Sequence, residues 1–402
     1  MARTTSRTVA RLLLGGLISL TTLVSPALAT GPGARVDAND PLPSFWLIPE
    51  RVAARTGARP PRPATTEQSS LQSALDHART VASSYGLAFT IVRDDAVAWS
   101  GTTGVDRDGA TRLALDQPFV IGSVTKTFVA AALLHLVERG ALSLDDQVTK
   151  WLPTLEVARG ATVRDLLAHT SGIADLYPPL KATLLGEPAH VFTHQEVIDH
   201  LGAAWFKPGA AWAYSNTNFV IAGMLLERVG GGSAEELIAR DVTGPLGLRA
   251  TWLLAGGRAD PDLLAPSWAT SFWTAGAMRS TTADLARWGA ALYGAGTVVS
   301  RADLTAMTTF NKDDYGLATR RYTFGEEVAV GHSGLLGTTT SLLLYFPRQR
   351  VSLAIIANRA EVDLAGVLLA EQDGHPSLLQ LALGSDAKLA APSPVPSPSA
   401  PH

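Results

Sequence analysis

With 402 residues, 46% of them hydrophobic, the chain can bury a large core, as one α/β domain or as two lobes. A formal charge of −3 and no Lys/Arg run exclude an electrostatic surface for nucleic acid. The complete lack of cysteine excludes disulfides, a thiolate metal site, a thiol nucleophile and a cysteine-linked lipid anchor.

In chain order, Arg3, Arg7 and Arg11 precede an apolar stretch over residues 12–24, followed by Ala27-Leu28-Ala29. A positive region, a short apolar region and a small-x-small site predict a secretory signal peptide over 1–29, cut after Ala29, and an extracellular protein. Residues 30–70 are rich in Pro, Arg and Thr (Arg59-Pro60-Pro61-Arg62-Pro63), which predicts an extended arm or a processed pro-segment. Residues 71–85 read as an amphipathic helix closed by Gly86. Residues 87–92 and 96–100 flank Asp94-Asp95 as a hairpin.

From about 121 to 245 helical periods dominate, with loops at 172–179 and at Pro208-Gly209 and a capping box at Ser233-Ala234-Glu235-Glu236. Strand pattern returns late, in residues 338–346 and 351–357 around Pro347-Arg348-Gln349-Arg350. Strands at both ends with helices between predict an α/β (α+β) fold. An antiparallel sheet flanked by helices is formed from both chain ends (71–120 and 270–385), and a mostly helical lobe (121–269) is inserted into it. Residues 386–402, rich in Ala, Pro and Ser, predict a disordered tail.

One stretch carries chemistry. In Ser123-Val124-Thr125-Lys126 a serine and a lysine stand three apart at the start of an apolar helical run. That spacing puts both on one helix face, so the amine can reach the hydroxyl and act as its base. An S-x-x-K arises by chance about once or twice in ~400 residues, and Ser385-Asp386-Ala387-Lys388 is a second copy at the edge of the tail. At a helix N-terminus, the backbone N–H of Ser123 also points where an oxyanion would form.

Two further segments are candidates. Tyr214-Ser215-Asn216 opens a helical run; its phenol can shuttle a proton with a pKa lowered by a nearby lysine, and its amide can hold lysine or substrate. The competing reading is a half-buried tyrosine and an N-cap asparagine. Gly331-His332-Ser333-Gly334 stands directly before the strand that begins near Thr338. Glycine there lets a substrate backbone lie against the strand edge, with His332 facing the nucleophile, unless the segment is only a polar turn. His200-Leu201-Gly202 lies in helical pattern and precedes Tyr214, and Lys207-Pro208-Gly209 carries a proline unsuited to a mid-sheet strand.

Together these segments resemble the serine β-lactamase and penicillin-binding-protein superfamily, in its class C branch. Leu166-Leu167-Ala168-His169-Thr170-Ser171-Gly172, Leu142-Ser143-Leu144-Asp145-Asp146 and Ala275-Gly276-Ala277-Met278-Arg279-Ser280-Thr281 extend the likeness. Around Ser123 and Tyr214 it is nearest to secreted D-alanyl-D-alanine carboxypeptidases. The resemblance implies a β-lactamase/transpeptidase-like fold and an acyl-enzyme at Ser123. It implies Lys126, Tyr214, Asn216 and His332 as its catalytic partners, in a monomer without metal or cofactor. Substrates would be peptidoglycan peptides or small D-amino-acid amides and esters, with β-lactams as inhibitors or substrates. Either Lys126 or Tyr214 would be the base.

The resemblance also places Arg320 where an arginine meets the substrate's terminal carboxylate, with Ser333 and Gly334 beside it. Ser333 keeps a hydroxyl where the carboxypeptidases have threonine, whereas Leu335 loses one. The Leu335 backbone N–H can still complete an oxyanion hole with that of Ser123. A carboxypeptidase is the expectation. A class C-like β-lactamase, an esterase, a D-amino-acid amidase and a non-catalytic β-lactam or wall-binding sensor are the alternatives.

Overall fold

The computed structural model describes residues 65–254, 264–372 and 374–392. The predicted signal peptide, the predicted arm up to residue 64 and the predicted tail beyond 392 lie outside the described residues.

A six-stranded antiparallel sheet forms the centre, in the order β2-β1-β9-β8-β7-β6. β1 (Gly86–Arg93) and β2 (Ala96–Gly104) come from the N-terminal side. The small strands β3 (Phe119–Val120), β4 (Trp252–Leu253) and β5 (Met278–Ser280) form a second sheet, which the sequence pattern did not foretell. β6 (Arg320–Phe324), β7 (Glu327–Leu336), β8 (Thr339–Phe346) and β9 (Val351–Ala357) complete the main sheet, with β9 pairing to β1. Both chain ends therefore build one sheet, as the strand pattern predicts.

Period-2 alternation divides its side chains between two cores. Leu87, Phe89, Ile91, Leu342, Leu344, Leu353 and Ile355 face the helices Thr66–Ala82, Leu364–Leu368 and Leu378–Leu383. Ala88, Val92, Leu343, Tyr345, Ala354 and Ile356 lie on the other face, in the core covered by the helix Thr282–Gly289 and continuous with that of the helical lobe. Helices on both faces explain why β8 and β9 are buried along their whole length.

Three boundaries depart from expectation. The first helix starts at Thr66, because Thr65 and Gln68 form a reciprocal capping box. It ends at Ser83 in the left-handed region (φ 49°), and Gly86 instead opens β1. Residues 386–392 are not a free tail: the N–H of Glu326 donates to the Lys388 carbonyl (3.0 Å), and Pro392 bridges to Phe324. The open edge of β6 supplies the backbone partners that composition cannot foretell.

Candidate active site

The apolar run after Lys126 forms the helix Thr125–Glu138, most of which is buried, with Phe128 stacked on Trp288 at 4.1 Å. Ser123 lies just ahead of it, in a 3-10 turn over Gly122–Val124. Two close approaches dock that turn on the sheet. Gly122 has φ 51°, and a Cβ there would lie 2.5 Å from the Leu335 nitrogen. A Cβ on Gly334 would lie 2.0 Å from the Ile121 carbonyl oxygen, to which the Ser341 hydroxyl donates at 2.7 Å. Glycine is required at both places.

His332 to Gly334 lie inside β7, not in a turn before the next strand. β6 pairs only with Glu327 to Gly331, so from His332 onward the outer edge of β7 is free of β6 and borders Ser123.

The structure brings four of the predicted side chains together. Lys126 is fully buried, and its Nζ lies 2.9 Å from Ser123 Oγ, 2.9 Å from Asn216 Oδ1 and 2.6 Å from the Ala275 carbonyl oxygen. It sits 5.0 Å from the centre of the Tyr214 ring, and the Ser123 hydroxyl is near enough to that phenol to lower its pKa. Asn216 precedes the helix Thr217–Gly230 but does not cap it; its side chain serves Lys126 instead. Burial pushes the Lys126 ammonium well below its ordinary pKa; Arg320 lowers it further and Asp175 opposes the shift. Burial pushes the Tyr214 phenol up, contrary to the lowered value the sequence suggests, because the desolvation of phenolate outweighs the lowering by the Ser123 hydroxyl and by Arg320.

His332 departs from its expected role. Its Nδ1 donates to the Ser333 carbonyl (2.6 Å), and its Nε2 accepts from the Tyr315 hydroxyl (2.9 Å). Both nitrogens are engaged away from Ser123. Burial, Arg320 and Lys126 all lower its pKa, so the ring is a neutral member of the site wall and not a positive charge.

Arg320 begins β6 and is 5% exposed. Its guanidinium lies 5.1 Å from the Tyr315 ring centre, 5.6 Å from Tyr214 and 5.7 Å from Trp212. No carboxylate pairs with it among the described residues. Ser333 is half-buried, Gly334 is buried, and the Leu335 side chain is 47% exposed.

Sequence reasoning missed a set of supports. His169, fully buried, accepts the Ser215 N–H on Nδ1 at 3.2 Å, and its ring lies 4.2 Å from that of Tyr214. Ser215 and Thr217 both donate to the Ala174 carbonyl. Asp175 accepts the Asn216 N–H at 2.6 Å and faces its side-chain amide at 3.5 Å. The His-Thr-Ser-Gly segment thus fixes the Tyr214–Asn216 loop. Its motif was visible in the sequence, whereas nothing marked Asp175.

The other copies do not assemble. Lys388 pairs with Glu326 at 3.2 Å, Ser385 bonds to Asp386, and His200 bonds to the carbonyl of Glu196.

A beta-lactamase family model matches residues 71–373. Penicillin-binding protein 4* of Bacillus subtilis (strain 168) is 31% identical over 143 residues, covering 35% of this chain and 31% of that protein. Esterase EstB of Burkholderia gladioli is 33% identical over 181 residues, covering 41% of this chain and 46% of the esterase. The chain thus spans less than half the length of these curated relatives. Among solved structures, a D-stereospecific amidohydrolase from a Streptomyces species is similar at a TM-score of 0.66 and 31% identity, covering 76% of this chain and 99% of that one.

Proposed function

The chain belongs to the beta-lactamase family, and we propose that it is a secreted serine D-alanyl-D-alanine carboxypeptidase working through an acyl-enzyme. The observation that carries this reading is Arg320: a buried cation framed by three aromatic rings beside Lys126 and Tyr214, with no carboxylate partner among the described residues. A buried charge is costly unless it is paired, and a substrate's terminal carboxylate is the partner that a guanidinium fork suits.

Lys126, its ammonium disfavoured by burial, takes the Ser123 proton as Ser123 Oγ attacks the carbonyl. The backbone N–H groups of Ser123 and Leu335 receive the oxyanion. Tyr214, held as a neutral phenol beside Ser123, passes a proton to the departing amine as the C–N bond breaks, and is reprotonated from Lys126. Asn216 keeps Lys126 in place, and water then releases the acyl group. The N-terminal arginines and apolar stretch would deliver the enzyme outside the cell, where wall peptides end in such carboxylates.

A second reading follows from Leu335. An exposed apolar side chain stands where the resemblance places a carboxylate-binding threonine, which favours an amide or ester without a terminal carboxylate. Intact-protein mass spectrometry with penicillin over time, with a D-Ala-D-Ala peptide assayed in parallel, separates the readings. Carboxypeptidase action predicts a lasting adduct, absent in Ser123→Ala, together with peptide turnover. Labelling that persists in the variant sinks the nucleophile assignment. Rapid loss of the adduct marks a β-lactamase, and turnover of esters or amides alone marks the second reading.

A further inference from the structure

Asp175 is a carboxylate within the site that the mechanism above does not use. It lies on the segment after His169-Thr170-Ser171-Gly172 and is partly exposed. Its carboxylate accepts the Asn216 N–H at 2.6 Å, and its charge acts on both Lys126 and Tyr214. Burial raises its pKa, the N–H groups of Asn216 and Tyr177 oppose that shift, and no cation forms an ion pair with it among the described residues. Asn216, its hydrogen-bond partner, holds Lys126 at 2.9 Å, so Asp175 stands two hydrogen bonds from the proposed base. The site thus contains an unpaired anion and, at Arg320, an unpaired cation, contributed by different elements.

A partly desolvated charge without a partner costs stability, and a complementary substrate charge relieves that cost. A dipeptide spans only ~7 Å at ~3.3–3.6 Å per residue. Both of its charged termini therefore stay beside the reacting bond and need partners there. A long or N-acylated peptide brings no ammonium to that place.

Resting on the peptidase reading above, we infer that Asp175 receives the free ammonium of a short D-aminoacyl substrate while Arg320 meets its carboxylate. A D-dipeptide with a free ammonium is then turned over faster than the same dipeptide acetylated on nitrogen. Asp175 is in this sense a specificity-determining residue as well as a support for Asn216.

The test compares kcat/KM for D-Ala-D-Ala and N-acetyl-D-Ala-D-Ala, and for D-alaninamide and N-acetyl-D-alaninamide, in the full enzyme and in Asp175→Asn and Asp175→Glu. Because each comparison is a ratio, effects on Lys126 or Asn216 common to both substrates cancel. The free amine should be favoured about ten- to a hundredfold, the worth of a charge-assisted hydrogen bond. That preference should collapse towards one in Asp175→Asn and persist in part in Asp175→Glu, which keeps the charge. An unchanged ratio in Asp175→Asn, or a preference for the acetylated substrates, overturns the assignment alone. Turnover of none of the four overturns the peptidase reading together with it.

Discussion

The carbonyl oxygen of Ala275 lies 2.6 Å from Lys126 Nζ, and this backbone contact decides which way the lysine's lone pair points. Nζ has three polar neighbours: Ala275 O, Asn216 Oδ1 and Ser123 Oγ. The carbonyl can only accept. Asn216 also accepts here, because its amide nitrogen is turned to Asp175. A neutral amine has two N–H groups and one lone pair. Both N–H groups are consumed, and the lone pair is left for the Ser123 hydroxyl. Once protonated, the same nitrogen has three acceptors for three hydrogens. The geometry suits both ends of the proton transfer.

Acylation should therefore lose rate as pH falls and Lys126 becomes protonated, with a midpoint well below the ordinary lysine value because burial lowers it. The sign of each neighbour's effect is fixed. Arg320 lowers that pKa, so Arg320→Ala should move the acid limb to higher pH. Asp175 raises it, so Asp175→Asn should move the limb to lower pH. Rates of penicillin acylation from pH 4 to 10 measure all three. A limb that stays in place in both variants would remove Lys126 as the titrating base.

Gly122→Ala should nearly abolish acylation without touching any reacting side chain. Its Cβ would fall 2.5 Å from the Leu335 nitrogen and would sit on a residue of φ 51°. Displacing one oxyanion donor costs about 10²–10³ in rate. Penicillin acylation within threefold of wild type would show that Leu335 is not such a donor. Gly334→Ala, with its Cβ 2.0 Å from the Ile121 oxygen, should in addition lower the melting temperature.

Tyr315→Phe tests the reassigned role of His332. Removing the hydroxyl leaves a fully buried Nε2 without its donor, at a cost of about 1–3 kcal/mol. Each kcal/mol corresponds to about 2–4 °C for a domain of 150–250 residues, so thermal unfolding should fall by several degrees. Acylation by penicillin should persist, since His332 turns both nitrogens away from Ser123. A loss as deep as that of Ser123→Ala would return His332 to the reaction itself.

Residues whose side chains act locally were legible in the sequence. Ser123 and Lys126 declare themselves by helical spacing, and β1, β2, β8 and β9 by runs of apolar and β-branched residues. Tyr214 and Asn216 needed the wider motif, because a tyrosine before a capping asparagine is ordinary in itself. The Gly-His-Ser-Gly segment reads as preceding a strand and not as part of one because it lacks strand pattern, being shaped by the close approach of Ile121 instead. Ala275 could not be found at all, since a carbonyl is present whatever the side chain. Nor could the direction of the Tyr214 shift, which burial decides and composition does not.

The aim of the Ala275 carbonyl depends on a kink two residues earlier. Trp273 has φ 30° and ψ −115° inside the helix Pro266–Gly276, a conformation that a bulky residue adopts only when its surroundings impose it. Its indole N–H donates to Glu235 at 3.1 Å, and its ring stacks on His194 at 3.6 Å. The next residue, Thr274, donates to the Phe219 carbonyl at 2.8 Å. Glu235→Ala removes the acceptor that holds the indole, and the strained turn can then relax towards helix. The carbonyl that orients Lys126 would move with it. The acylation step should slow by about tenfold, and KM for peptide should stay close to that of wild type, because no substrate contact is lost. Glu235→Gln keeps an oxygen acceptor and should restore most of the rate. Equal rates in wild type and Glu235→Ala would mean that Thr274 alone holds the carbonyl. A rise in KM without a fall in kcat would mean that the kink shapes the pocket and not the base.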